Sequence, residues 1–141
     1  MNSINRLLTN KTNIWLSLVV NSTNCNKKLI EQFSKNALLW GTFSDKLSVK
    51  NSDEFNEYFN KFSKFPNLEV INKEYNISKI TDDVYVNNAY IQWKWLYRSS
   101  TTFRMTFIYK LEDLDYKIHQ LHSSILPSLF SFRCPSNSPE W

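Results

Sequence analysis

From Thr101 onward the side chains alternate with a period of two, and this constrains the fold more than any other feature. In the run FRMTFIY, Phe103, Met105, Phe107 and Tyr109 alternate with Thr102, Arg104, Thr106 and Ile108. Successive side chains of a strand point to opposite faces, so the run predicts one packed face and one that holds an arginine between hydroxyls. A second run, Tyr116 to Ile125, follows the turn Glu112-Asp113-Leu114-Asp115. Upstream, residues 68–80 and 84–97 read the same way; the latter places Ala89, Ile91, Trp93 and Trp95 on one face and Tyr90, Gln92 and Lys94 on the other. Four long strands joined by short polar turns form a meander. With one glycine in the chain, Asn and Asp must make the turns, at Asp82-Asp83 and Asn87-Asn88.

The first half reads as helical. Ile4, Leu7, Leu8, Ile14, Trp15, Leu18 and Val19 follow helical spacing over residues 3–21, and Leu29, Ile30 and Phe33 mark a short helix from Lys27 to Ser34. Ala37 to Phe43 reads as a buried strand. Phe55, Tyr58, Phe59 and Phe62 recur at i, i+3, i+4 and i+7 on a third helix, capped by Asn51 or Ser52 and stopped by Pro66. Helices followed by antiparallel strands predict an α+β fold in which a curved sheet wraps the long helix. Residues 1–127 read as one domain and residues 128–141 as an irregular tail.

Composition narrows the function classes. An apolar share of 42% with 16% aromatics argues for a packed core. The net charge of +4 arises in residues 1–50, where seven Lys and Arg face only Glu31 and Asp45. Lys27, Lys28 and Lys35 fit a solvated face better than a nucleic-acid footprint. Cys25 and Cys134 make no disulfide framework and have no metal-spaced partners. The apolar stretch Ile14–Val20 is too short to cross a bilayer. No metal, cofactor, nucleic acid or membrane is expected, and the default location is the cytoplasm.

Arg104 is the principal candidate site residue. A cation facing into a half-closed sheet needs a carboxylate, water or an anionic ligand, and Glu69 and Glu74 are possible internal partners. His122 is the one candidate for acid/base work. His119 lies at an odd spacing from it, so the two share a metal only across a bulge. Trp40 and Tyr90 suit a ligand pocket, and Trp93 and Trp95 suit the dry contact of a dimer.

The order of elements and motifs resembles the nuclear transport factor 2-like (SnoaL-like) superfamily, in particular the group related to the calcium/calmodulin-dependent protein kinase II association domain. The matching residues are Trp15; Leu39-Trp40-Gly41-Thr42-Phe43-Ser44; Tyr58-Phe59 and Phe62 before Pro66; Tyr90; Arg104, Thr106, Phe107 and Tyr109; and Ile118 with His122-Ser123-Ser124 and Pro127. Ala89, Tyr116 and Leu121 depart from the pattern. The resemblance implies a cone-shaped, cystatin-like half-barrel with a pocket between sheet and helices and subunits that pair through their sheets. The expected function is a homo-oligomeric assembly or small-ligand module without catalysis, holding a small anionic molecule through Arg104, Tyr90, His122 and Trp40. The alternatives are an isomerase, dehydratase or cyclase using His122, and an adaptor that binds protein through its basic first third.

Overall fold

The computed structural model describes residues 2–21, 26–62, 68–94 and 100–126. Helix α1 (Ser3–Val20) starts where the Asn2 side chain accepts the Asn5 N–H at 2.7 Å. It turns Leu8, Thr12, Trp15, Leu16 and Val19 inward. Helix α2 (Asn26–Glu31) is short and leads into strand β1 (Phe33–Trp40), then β2 (Ser48–Val49) and helix α3 (Asp53–Phe62). The Ser52 hydroxyl caps α3 by accepting the Phe55 N–H, and Asp53 and Glu54 complement its dipole. Four long strands follow: β3 (Glu69–Thr81), β4 (Val84–Lys94), β5 (Thr101–Glu112) and β6 (Asp115–Ile125).

The six strands form one sheet in the order β2-β1-β6-β5-β4-β3. All neighbours are antiparallel except β1 and β6, which run parallel, so the sheet is mixed and not purely antiparallel as the meander suggested. Beside a helical layer this gives the α+β half-barrel. The core lies between the sheet's inner face and the helices, where Phe33, Phe55, Phe59, Phe107 and Leu8 are fully buried. Phe33 and Phe55 meet edge to face at 5.1 Å, as do Trp15 and Phe107 at 5.3 Å.

Two backbone positions need comment. A Cβ on Gly41 would overlap the Tyr58 ring, so the close approach of β1's end to α3 requires glycine. Asp113 and Leu114 close the β5–β6 hairpin with φ of 52° and 69°, the two left-handed positions of a type I′ turn.

Two sequence expectations need correction. Strand β1 starts at Phe33, four residues before the expected strand, because its ladder with β6 is irregular and Asn36 takes a φ of 60°. Asn87-Asn88 is no turn but the middle of β4, with Asn87 fully buried. Of the two capping candidates, Ser52 is the one that caps α3. Pro66, Trp95, both cysteines and the tail from residue 128 lie outside the described residues.

Candidate functional site

The candidate site is the outer face of the sheet, and strand register builds it. Along β4, Tyr85, Asn87, Ala89, Ile91 and Trp93 point inward, leaving Asn88, Tyr90 and Gln92 outside. Register then carries each outward residue into a row across the sheet. One row runs Asn76, Asn88, Thr106, His122, Trp40 from β3 to β1. The next runs Glu74, Tyr90, Arg104, Ser124 from β3 to β6. Residues opposite each other on adjacent strands are near enough to interact, so these rows act as units.

Over β3, β4 and β5 the rows enclose an open groove of about 660 Å³, which Glu74, Asn76, Asn88, Tyr90, Arg104 and Thr106 line among others. Thr106 donates to the Asn88 side chain at 3.1 Å. Tyr90 is 50% exposed and Trp40 46%, and Trp40 sits against His122 with ring centroids 5.9 Å apart. Arg104 and Glu74 are both exposed, and among the described residues neither forms an ion pair. The expected internal partnership of Arg104 with Glu69 or Glu74 is therefore absent there. Tyr90 stands between the two charges.

The inner face tells a different story. The space beneath Trp15, Leu39, Phe59, Trp93 and Met105 amounts to about 10 Å³, room for a water molecule at most. The expected pocket inside the cone is thus filled by aromatic side chains among the described residues. Arg104, Tyr90, His122 and Trp40, assigned to that pocket from sequence, all project from the opposite side. Trp93 was expected at a subunit contact; it is 2% exposed and packs on Phe103 inside the monomer. Its dimer-contact companion Trp95 lies outside the described residues.

Part of the interior's polarity docks α1. The Thr12 hydroxyl bonds the Tyr109 hydroxyl at 2.6 Å and donates to the Leu8 carbonyl at 3.0 Å, and the Asn87 side-chain amide donates to Thr12 at 3.1 Å. Burial raises the Tyr109 phenol well above its ordinary pKa, the Thr12 hydrogen bond opposing in part. Tyr75 donates to Asn13 at 2.6 Å, and burial raises its phenol too. Burial pushes Tyr58 up to about 12, against hydrogen bonds from Thr42 and Phe43. All three phenols stay neutral throughout the physiological range. Sequence reading missed this network, although Thr12 stands on the apolar stripe of α1 between Leu8 and Trp15.

The two histidines separate. A bulge at His119 shifts the β5–β6 register between Ile108 and Tyr109, and the His119 Nδ1 meets the buried Ser34 hydroxyl at 3.0 Å. His122 remains exposed among Thr106, Trp40 and solvent. Ser123 is inward and bonds Thr42. Among the described residues no three His, Cys, Asp or Glu side chains cluster at metal-binding range, and no helix is long and apolar enough to cross a membrane.

Similarity to solved structures is extensive in shape and slight in sequence. A protein from Xanthomonas campestris described as a calcium/calmodulin-dependent protein kinase II association domain superposes with a TM-score of 0.71 at 20% identity, over 88% of this chain and 89% of that one. A nuclear transport factor 2-like protein from Cytophaga hutchinsonii gives 0.67 at 21% identity over 89% and 100%. A ketosteroid isomerase-like protein from Erwinia carotovora atroseptica gives 0.69 at 10% identity over 91% and 100%. No family model matches the sequence, and no curated protein does. The fold is therefore nuclear transport factor 2-like, in the cystatin-like class. It supports a binding or assembly module without specifying a role.

Proposed function

We propose that this protein is a self-associating module whose subunits pair face to face through the outer surface of the sheet. The observation that carries this reading is the contrast between the filled space beneath Trp15 and Trp93 and an outer face on which Trp40, Tyr90, Arg104 and Glu74 are exposed, Arg104 and Glu74 forming no ion pair among the described residues. Charge placement then specifies the pairing. Glu74 and Arg104 lie in one row on β3 and β5, symmetrically about β4 and two strand spacings apart, about 10 Å. A twofold axis running along β4 between two stacked sheets brings Glu74 of each copy over Arg104 of the other, with the two Tyr90 rings at the axis. Such an interface is isologous and self-complementary. Stacked sheets align within about 30°, which keeps facing rows near one another.

The acid/base reading of His122 has less support. Catalysis of that kind needs a water-excluding cavity beside the base, and His122 stands in the open on the outer face. A small anion held by Arg104 in the groove would compete with pairing and weaken it.

Charge reversal provides the test, read by light scattering. Glu74→Arg and Arg104→Glu should each turn a dimer into a monomer, because each sets like charges face to face. Mixing the two variants should yield a heterodimer, and the double variant should dimerise again. A wild-type protein that is monomeric at micromolar concentration would sink the proposal, and so would single variants that dimerise as well as the wild type.

A further inference from the structure

The larger groove on the outer face carries one charge of each sign. Among the described residues that line it only Glu74 and Arg104 are charged, the first on β3 and the second on β5. Both pair in register with Tyr90 on β4, so their Cα atoms stand about 10 Å apart with the phenol between them. Neither forms an ion pair among the described residues. The neighbouring row, Asn76, Asn88 and Thr106, borders the groove with uncharged donors and acceptors. Its volume of about 660 Å³ falls within the range of small-molecule sites, about 300–1,000 Å³.

We infer that this groove binds a zwitterion, a molecule with an ammonium at one end, a carboxylate at the other and a flat apolar middle. The planar fork of Arg104 takes a carboxylate in two parallel hydrogen bonds, and the Glu74 carboxylate accepts from an ammonium. Between them the half-exposed Tyr90 ring offers a face on which an aromatic middle stacks. A simple anion answers Arg104 and leaves Glu74 unmatched; a simple cation does the reverse. A polyanion meets a single guanidinium with a carboxylate in the same groove, which disfavours it. A rigid ligand that spans both ends loses little freedom on binding, so both end contacts show in its affinity. Occupancy also bears on assembly, and this part rests on the face-to-face pairing proposed above. In that pairing Glu74 of each copy meets Arg104 of the other, and the zwitterion claims the same two groups. Ligand and second copy exclude each other.

The probe is para-(aminomethyl)benzoate, set against para-toluate, which lacks the ammonium, and para-methylbenzylamine, which lacks the carboxylate. Calorimetric titration of the dilute full chain should show the zwitterion binding about tenfold tighter than either control. Glu74→Gln should reduce its affinity to that of para-toluate, and Arg104→Gln to that of para-methylbenzylamine. Equal affinities for the three molecules, no binding at any dilution, or zwitterion binding that both variants leave unchanged would overturn the site. Sedimentation with saturating zwitterion then reads the competition. The dimer dissociation constant should rise by about tenfold or more, since the ligand binds only the separated copies; a constant that does not move overturns the competition. Zwitterion-selective binding to a protein that is monomeric at every concentration would keep the site and refute the pairing.

Discussion

The inner and outer faces of this sheet are made by the same strands from alternate residues, yet they have opposite fates. On β5, Phe103, Met105, Phe107 and Tyr109 are buried against α1 and neighbouring strands, while Arg104 among them and Lys110 just beyond are exposed. The inside has aromatic rings at contact distance and little space beneath Trp15 and Trp93; the outside has an unfilled groove, where Arg104 and Glu74 form no ion pair among the described residues. The lesson is that a half-barrel of this kind can lose its cavity and still keep a recognition surface. On the pairing proposed above, function moves from the hollow of the cone to its back.

The sharpest way to break that contrast is to truncate one residue from each face. In the monomeric Arg104→Glu background, Phe107→Ala should cost about 3–5 kcal/mol by removing a fully buried ring. Tyr90→Ala should stay within about 0.5 kcal/mol in denaturant melts, since an exposed side chain contributes little to the monomer. Similar losses at both sites would mean that the faces are not distinct. Next in size is Tyr109→Phe, which takes one partner from Thr12 and should cost about 1–2 kcal/mol without altering dimerisation. A smaller effect of opposite sign is expected at the hairpin. Leu114 is 96% exposed and left-handed, so Leu114→Gly should stabilise by about 0.5 kcal/mol, read as a raised Tm.

The smallest effect concerns pH. Burial alone would raise the Asp115 carboxyl, but the hydrogen bond and charge of Lys11, 2.7 Å away, with Lys117 beyond, hold it below its ordinary value. A carboxyl depressed in the folded state stabilises above its unfolded pKa, about 4, and that gain disappears as pH falls through the lower folded value. Because the pair is half exposed, Asp115→Asn should cost only about 0.3 kcal/mol at pH 7 and nothing near pH 2. A difference between wild type and variant that persists at low pH would remove the ion pair as its cause.

Much of the fold was legible because long strands and amphipathic helices announce their period. The four strands from Glu69 to Ile125 and helix α3 fall within a few residues of where alternation and the Phe55, Tyr58, Phe59 spacing put them. β2, with two residues, is too short to have a period, and β1 was displaced because its irregular start hides Phe33 and Ser34 from any simple alternation. The site was less legible for a different reason. Period two sorts residues onto two faces but does not say which face the helices cover. Arg104 and Tyr90 were rightly separated from Phe103 and Trp93, and the sides were then exchanged. Asn87 was misread because asparagine usually marks turns; the hydroxyl that accepts its amide N–H comes from Thr12, a partner 75 residues away.

The parallel union of β1 with β6 has a consequence for how the chain is made. The first strand pairs with residues 118–122, so during synthesis its long free edge waits while nearly the whole protein emerges. Joining partners so distant in sequence is slow, since loop closure precedes any reward. The last hairpin is therefore the clasp of the whole sheet, and nascent chains that stall before it are the ones most apt to aggregate.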